Sequence, residues 1–188
     1  MNKWRLPTAL RIGAVDFAIR TDYRVILGIF RVLTSDEYDE CEKWLIALKS
    51  FYKDDLPEEL TDDAIEQMCC FFNGGSAIAE KEDRKQPKLM DWDQDANILI
   101  PAVNKVAGYD VRGMEYLHWW TFLSFYTEVG EGTFATVVAI RKKMATGKKL
   151  EKYEKDFVRD NPDMVFLKDA ERRRQDEEDK AALAAIGL

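Results

Sequence analysis

The sequence predicts a mainly α protein, a helical bundle of about six helices with a small N-terminal β-hairpin. Three observations predict it. Apolar residues recur at three- and four-residue spacing along most of the 188 residues, the repeat of one helical face. Period-2 alternation is confined to one short stretch, Val15, Phe17 and Ile19, as in a half-buried strand. Gly pairs and acid-led Ser/Thr/Asp clusters break the periodic stretches at helix-length intervals.

The elements follow in order. Residues 10–19 read as the hairpin, with Ile12 before the turn and Gly13 permitting the reversal. A two-stranded ribbon is marginal alone, so it must pack on helices or pair with another strand. Thr21 and Asp22 begin a first helix with Ile26, Ile29, Phe30 and Leu33 inward. Residues 34–37, TSDE, supply caps and first-turn acids for a second helix. Its face, Tyr38, Cys41, Trp44, Leu45, Leu48, Phe51 and Tyr52, is the clearest amphipathic pattern in the chain. A third helix starts at residues 61–63, carries Ile65, Met68, Cys69 and Phe72, and ends at Gly74-Gly75. Residues 80–88, EKEDRKQPK, read as a polar linker. A fourth helix holds Ile98, Leu99, Val103 and Val106, with a kink or break expected at Pro101.

The densest stretch is 114–143, MEYLHWWTFLSFYTEVGEGTFATVVAIRKK. Met114, Leu117, Trp120, Leu123 and Val129 mark one face of a helix, and Trp119, Phe122 and Phe125 a second. A helix apolar nearly all round is expected in a core. Trp119, Trp120 and Phe122 are thus core candidates first, and candidate partner contacts where a face stays open. Gly130 and Gly132 end this helix and Thr133 caps the next, whose basic residues, Arg141, Lys142 and Lys143, suit a helix C-terminus. A last amphipathic stretch, 150–160, stops at Asn161-Pro162. Residues 168–180 are almost all charged, and 181–188, AALAAIGL, are small and apolar, with Leu183 and Ile186 as candidate partner contacts. The domains so drawn are 1–75 (hairpin plus helical layer), 76–91 (linker), 92–160 (C-terminal helical subdomain) and 161–188 (charged tail).

Composition narrows the function classes. A net charge of −7 disfavours nucleic acid, whose binders need a basic face, and disfavours an anionic membrane surface. No apolar run reaches the ~20 residues of a membrane span. The opening MNKWRLPTALR lacks a signal-peptide core, which makes the cytoplasm the expected compartment. Cys41, Cys69 and Cys70 form neither a disulfide framework nor a metal site. No phosphate loop, nucleophile elbow or EF-hand spacing occurs, and Asp91, Asp93 and Asp95 read as acids at a helix start. His118 is the sole histidine, with no positioned second group for catalysis, and reads as a structural residue. Neither an enzyme nor a cofactor is expected.

The hairpin followed by IRTDYR, then WLIALKSFY, a polar linker, LHWWTFLSFYTEVGEGTF and IRKK resembles a family of phage proteins. It is the family named for gene product fifteen of a long-tailed phage, found in siphophages and in prophages of low-GC Gram-positive bacteria. The resemblance runs from about the hairpin to residue 160 and is sharpest at His118-Trp119-Trp120-Thr121-Phe122. It implies a non-enzymatic tail assembly chaperone, encoded just upstream of the tape-measure gene. Such a protein coats the apolar tape-measure helix in the host cytoplasm, helps recruit tail-tube protein, self-associates, and leaves before the tail is complete. The alternative is a structural virion protein, such as a tail completion or connector subunit.

Overall fold

The computed structural model describes residues 4–76 and 87–168. It is mainly α, with one two-stranded antiparallel hairpin and eight α-helices among the described residues. The chain forms two compact units, and they are not consecutive: Met1–Arg84 with Val103–Val129, and Lys85–Ala102 with Gly130–Leu188.

In the first unit, β1 (Ala9–Ile12) and β2 (Val15–Ala18) pair with Ile12 opposite Val15 and Leu10 opposite Phe17. Gly13 turns the chain at φ 58°, a conformation glycine adopts without Cβ strain. Leu10, Ile12 and Phe17 face the core, whereas Val15 at the turn is exposed. β1 packs on α3, so helices supply the cover that the hairpin needs.

Helix α1 (Tyr23–Thr34) is capped by Asp22, whose side chain accepts from the Arg24 amide. Helix α2 (Glu40–Phe51) starts later than the TSDE cluster predicts. Asp39 accepts from the Glu42 amide and Glu42 from the Asp39 amide, a reciprocal capping box. Ser35 is left to bond the Glu37 amide in the turn before it. Helix α3 (Thr61–Phe72) buries Ala64, Met68 and Phe71, one position round from the expected stripe. Helix α4 (Ala96–Ala107) runs through Pro101 without a break, and the division between the units falls within it.

Helix α5 (Trp119–Thr127) is shorter than the apolar spacing from Met114 to Val129 predicts. Residues 116–119 are held against 21–23 instead: the Tyr23 amide donates to the Leu117 carbonyl at 3.0 Å and the Trp119 amide to the Thr21 carbonyl at 2.7 Å. The helix therefore begins at His118. An aromatic cluster fills this unit. Phe30 lies 5.1 Å from Phe72 and 5.6 Å from Trp119, and Phe51 lies 5.2 Å from Phe71, ring centre to ring centre.

The second unit holds α6 (Thr133–Ala145), α7 (Lys152–Asp160) and α8 (Pro162–Val165), with α8 packing on both others. Gly132, rather than Thr133, stands at the cap of α6. Pro162 opens α8 at a first-turn position where its missing N–H is harmless. Among the described residues no helix is long and apolar enough to cross a membrane.

Candidate functional site

The sequence points first to His118-Trp119-Trp120. All three are held as structure. The His118 Nδ1 accepts from the Trp120 amide at 3.0 Å, capping α5. Nδ1 therefore carries no proton, so Nε2 bears it and donates to the Pro7 carbonyl at 3.0 Å. The ring is 2% exposed, and burial pushes its pKa below the ordinary imidazole value, with the Pro7 bond opposing. It is a neutral cap residue.

The two indoles reach the end of α3. Trp119 Nε1–H donates to the Phe72 carbonyl at 3.0 Å and Trp120 Nε1–H to the Phe71 carbonyl at 2.9 Å. The last carbonyls of a helix lack partners within it, so the Trp pair caps α3 while its rings fill the core. Trp119 and Phe122 are 1% and 2% exposed, and Trp120 is half-buried. In this chain Trp119 and Phe122 offer no open face to a partner. Leu183 and Ile186 lie outside the described residues.

The IRTDYR stretch meets the HWW stretch in space. Asp22 caps α1 and also accepts from the Leu117 amide at 3.2 Å. Thr21 and Tyr116 share a 2.7 Å hydroxyl bond. Tyr23 stacks on Phe122 at 4.6 Å and 8°. Arg24 donates to the Met114 carbonyl. Arg20 spans the end of α2, donating to the carbonyls of Lys49, Ser50 and Tyr52 at 3.1, 3.2 and 2.5 Å. Two distant motifs thus form one junction that sets the directions of α1, α2 and α5.

The second unit has a comparable lock. Arg141 is buried, not presented to solvent as the basic end of α6. Its guanidinium grips the buried Asp95 carboxylate at 2.6 and 2.9 Å and donates to the carbonyls of Leu89, Met164 and Val165. Asp95 itself accepts from the Asp91 amide, and Asp91 from the amides of Asp93 and Gln94, so these acids organise a helix start. Lys143 pairs with the buried Glu154 at 2.7 Å. That contact holds the Glu154 carboxyl below, and the Lys143 ammonium above, their ordinary ranges. Among the described residues no group of His, Cys, Asp and Glu is placed to hold a metal ion.

The open site lies on α2, and the sequence did not isolate it. The continuous apolar face of α2 divides. Leu48, Phe51 and Tyr52 are buried, but Leu45 is 51% exposed and Cys41 is exposed, with Trp44 half-buried. Together with Leu56 they line a cleft of about 780 Å³ between α2 and the segment 53–61, in the size range of ligand pockets. Its floor includes Tyr52, whose hydroxyl donates to the Ala64 carbonyl at 2.8 Å and whose pKa burial pushes far up. Charged residues of both signs also line it: Arg20, Lys49, Lys53, Asp54, Asp55 and Glu58. The sequence carried no signal for it: Cys41, Trp44, Leu45, Leu48 and Tyr52 fall within about 100° of the helix surface, the width of an ordinary core-facing stripe.

A mainly helical protein with a small hairpin, structural aromatic motifs and an open apolar cleft is the class defined so far. The chain matches the family model described as Bacteriophage Gp15 protein over residues 3–165, and it belongs to that family. Neither a curated protein nor a solved structure matched.

Proposed function

We propose that this chain is a phage tail assembly chaperone that holds apolar helical segments of the tape-measure protein in the α2 cleft. The observation that carries the reading is that cleft, an apolar surface left open in a bacteriophage family protein whose other aromatic motifs are committed to its own core. The family resemblance supplies the client, and the chemistry of the site fits it. A helix with apolar residues at i, i+3 and i+7 lays one ridge along Trp44, Leu45 and Leu48, and its polar flanks meet the charged lining residues. The protein's net negative charge keeps a coated client in solution. Action in the host cytoplasm, recruitment of tail-tube protein and departure before tail completion complete the role.

The test is co-expression with a tape-measure fragment. The wild-type chain keeps the fragment soluble and co-purifies with it. Leu45→Glu retains the fold and loses binding tenfold or more, because it sets a charge in the middle of the trough. Mass spectrometry of finished particles finds the chain absent. Stoichiometric presence in particles, with no capture of the fragment, defeats the proposal and favours a tail completion or connector subunit.

A further inference from the structure

The backbone bonds around the hairpin fix which way each residue of β1 and β2 faces. The Ile19 amide donates to the Thr8 carbonyl at 3.0 Å, so these two residues turn their backbone groups toward one another. Such pairs alternate along an antiparallel ladder, and the register carries the pattern to Leu10 with Phe17 and Ile12 with Val15. The backbone groups of Ala9 and Arg11 therefore point away from β2, and those of Asp16, Ala18 and Arg20 away from β1. The outer side of β2 is largely taken. The Arg20 amide donates to the Phe51 carbonyl at 2.8 Å and the Lys53 amide to the Ala18 carbonyl at 2.9 Å, which leaves Asp16 alone. On the outer side of β1 the Pro7 carbonyl accepts from His118. Beyond it, among the described residues, no hydrogen bond reaches the amides or carbonyls of Ala9 and Arg11, and both residues are exposed. The hairpin keeps a usable strand edge on β1.

We propose that β1 pairs antiparallel with β1 of a second copy across a two-fold axis. An open edge is a template for another strand, and in a two-fold pairing the same edge serves both sides. Backbone groups and charges choose the register, because outward positions must face outward positions. Ala9 opposite Ala9 pairs those residues alone, since the next outward position, Pro7, has no N–H and its carbonyl is occupied. Arg11 opposite Arg11 sets like charges face to face. Ala9 opposite Arg11 satisfies every open amide and carbonyl of both strands. It also seats each long Arg11 across from a small Ala9 and keeps it beside its own Asp16, 3.8 Å away. Leu10 then lies opposite Leu10 at the axis. Continued in the same register, the exposed Leu6 of one copy falls opposite the turn of the other, next to its exposed Val15. The pairing closes at the dimer and stands whether or not the cleft takes a client.

Analytical ultracentrifugation of the full-length chain tests it. The wild type shows a monomer–dimer equilibrium. Ala9→Pro removes an amide that the hairpin's own ladder does not use, so the thermal melt is unchanged while the dimer dissociation constant rises about tenfold or more. A chain that stays monomeric at every concentration, or a dimer that a folded Ala9→Pro variant leaves intact, overturns the proposal. Disulfide trapping reads the register without the proline. The exposed Cys41 is first replaced by Ser. Chains carrying Ala9→Cys and chains carrying Arg11→Cys are then mildly oxidised, apart and mixed, and run on a non-reducing gel. The mixture yields linked dimer well beyond either variant alone. No link in the mixture, or links formed as readily by one variant alone, overturns the pairing.

Discussion

His118 shows at a single residue how a chemistry-bearing side chain becomes architecture. With Nδ1 capping α5 and Nε2–H on Pro7, neither nitrogen is free to move a proton. Its pKa is depressed by burial from the ordinary 6.5. The unfolded chain thus takes up a proton that the folded chain refuses. The stabilising contribution is full above the unfolded value and is lost as pH falls through it. Thermal unfolding should show this between pH about 7.5 and 5.5, with a slope no steeper than about 1.4 kcal/mol per pH unit for one proton. No other histidine contributes. His118→Asn keeps a capping side chain and should flatten the slope; an unchanged slope would mean that another group titrates there.

Arg141 belongs at the same scale. It faces the buried Asp95 and three carbonyls. Arg141→Met strands a buried carboxylate and should cost about 3–5 kcal/mol. Arg141→Met with Asp95→Leu removes both charges and should recover much of that loss. Denaturant melts of the two variants decide it. If the double variant is no better than the single, the carbonyl bonds and not the ion pair carry the lock.

At the scale of the element, caps and packing choose the boundaries. The region before α2 offers two capping clusters, TSDE and Asp39 with Glu42. Composition does not rank them, but only the second closes both halves of a capping box. Asp39→Ala should lower stability by about 1 kcal/mol, whereas Asp36→Ala should leave the melt within about 0.5 kcal/mol of wild type. Equal effects would place the cap at the earlier cluster. Helix α5 illustrates the opposite case. Met114 and Leu117 sit at helical spacing, yet backbone pairing with residues 21–23 holds the chain extended there. A contact some 95 positions away leaves no trace in local periodicity. Existence and type of nearly every helix were legible in the sequence; α8 and these two starts were not. The apolar face of α2 was equally legible, but period alone does not say which neighbour covers it, so the cleft was invisible until α2, α3 and the segment between them were placed.

At the scale of the whole chain the units do not follow chain order. The first segment of one unit is Met1–Arg84. But residues 103–129 return to that unit, because the indoles of Trp119 and Trp120 bond the last carbonyls of α3 and Phe122 stacks on Tyr23. The N-terminal portion is therefore not self-sufficient. Val103, Val111, Leu117, Trp119 and Phe122 are all buried. At about 1.5–3 kcal/mol for each large apolar side chain, their burial contributes on the order of 10 kcal/mol, as much as the net stability of a typical domain. A fragment of residues 1–84 should lack a cooperative thermal transition and near-ultraviolet circular dichroism, while the full chain shows both. Supplying residues 103–129 on the same polypeptide should restore them. A fragment that melts cooperatively by itself would show that the hairpin and first three helices close their own core, and that the Trp pair decorates a finished fold.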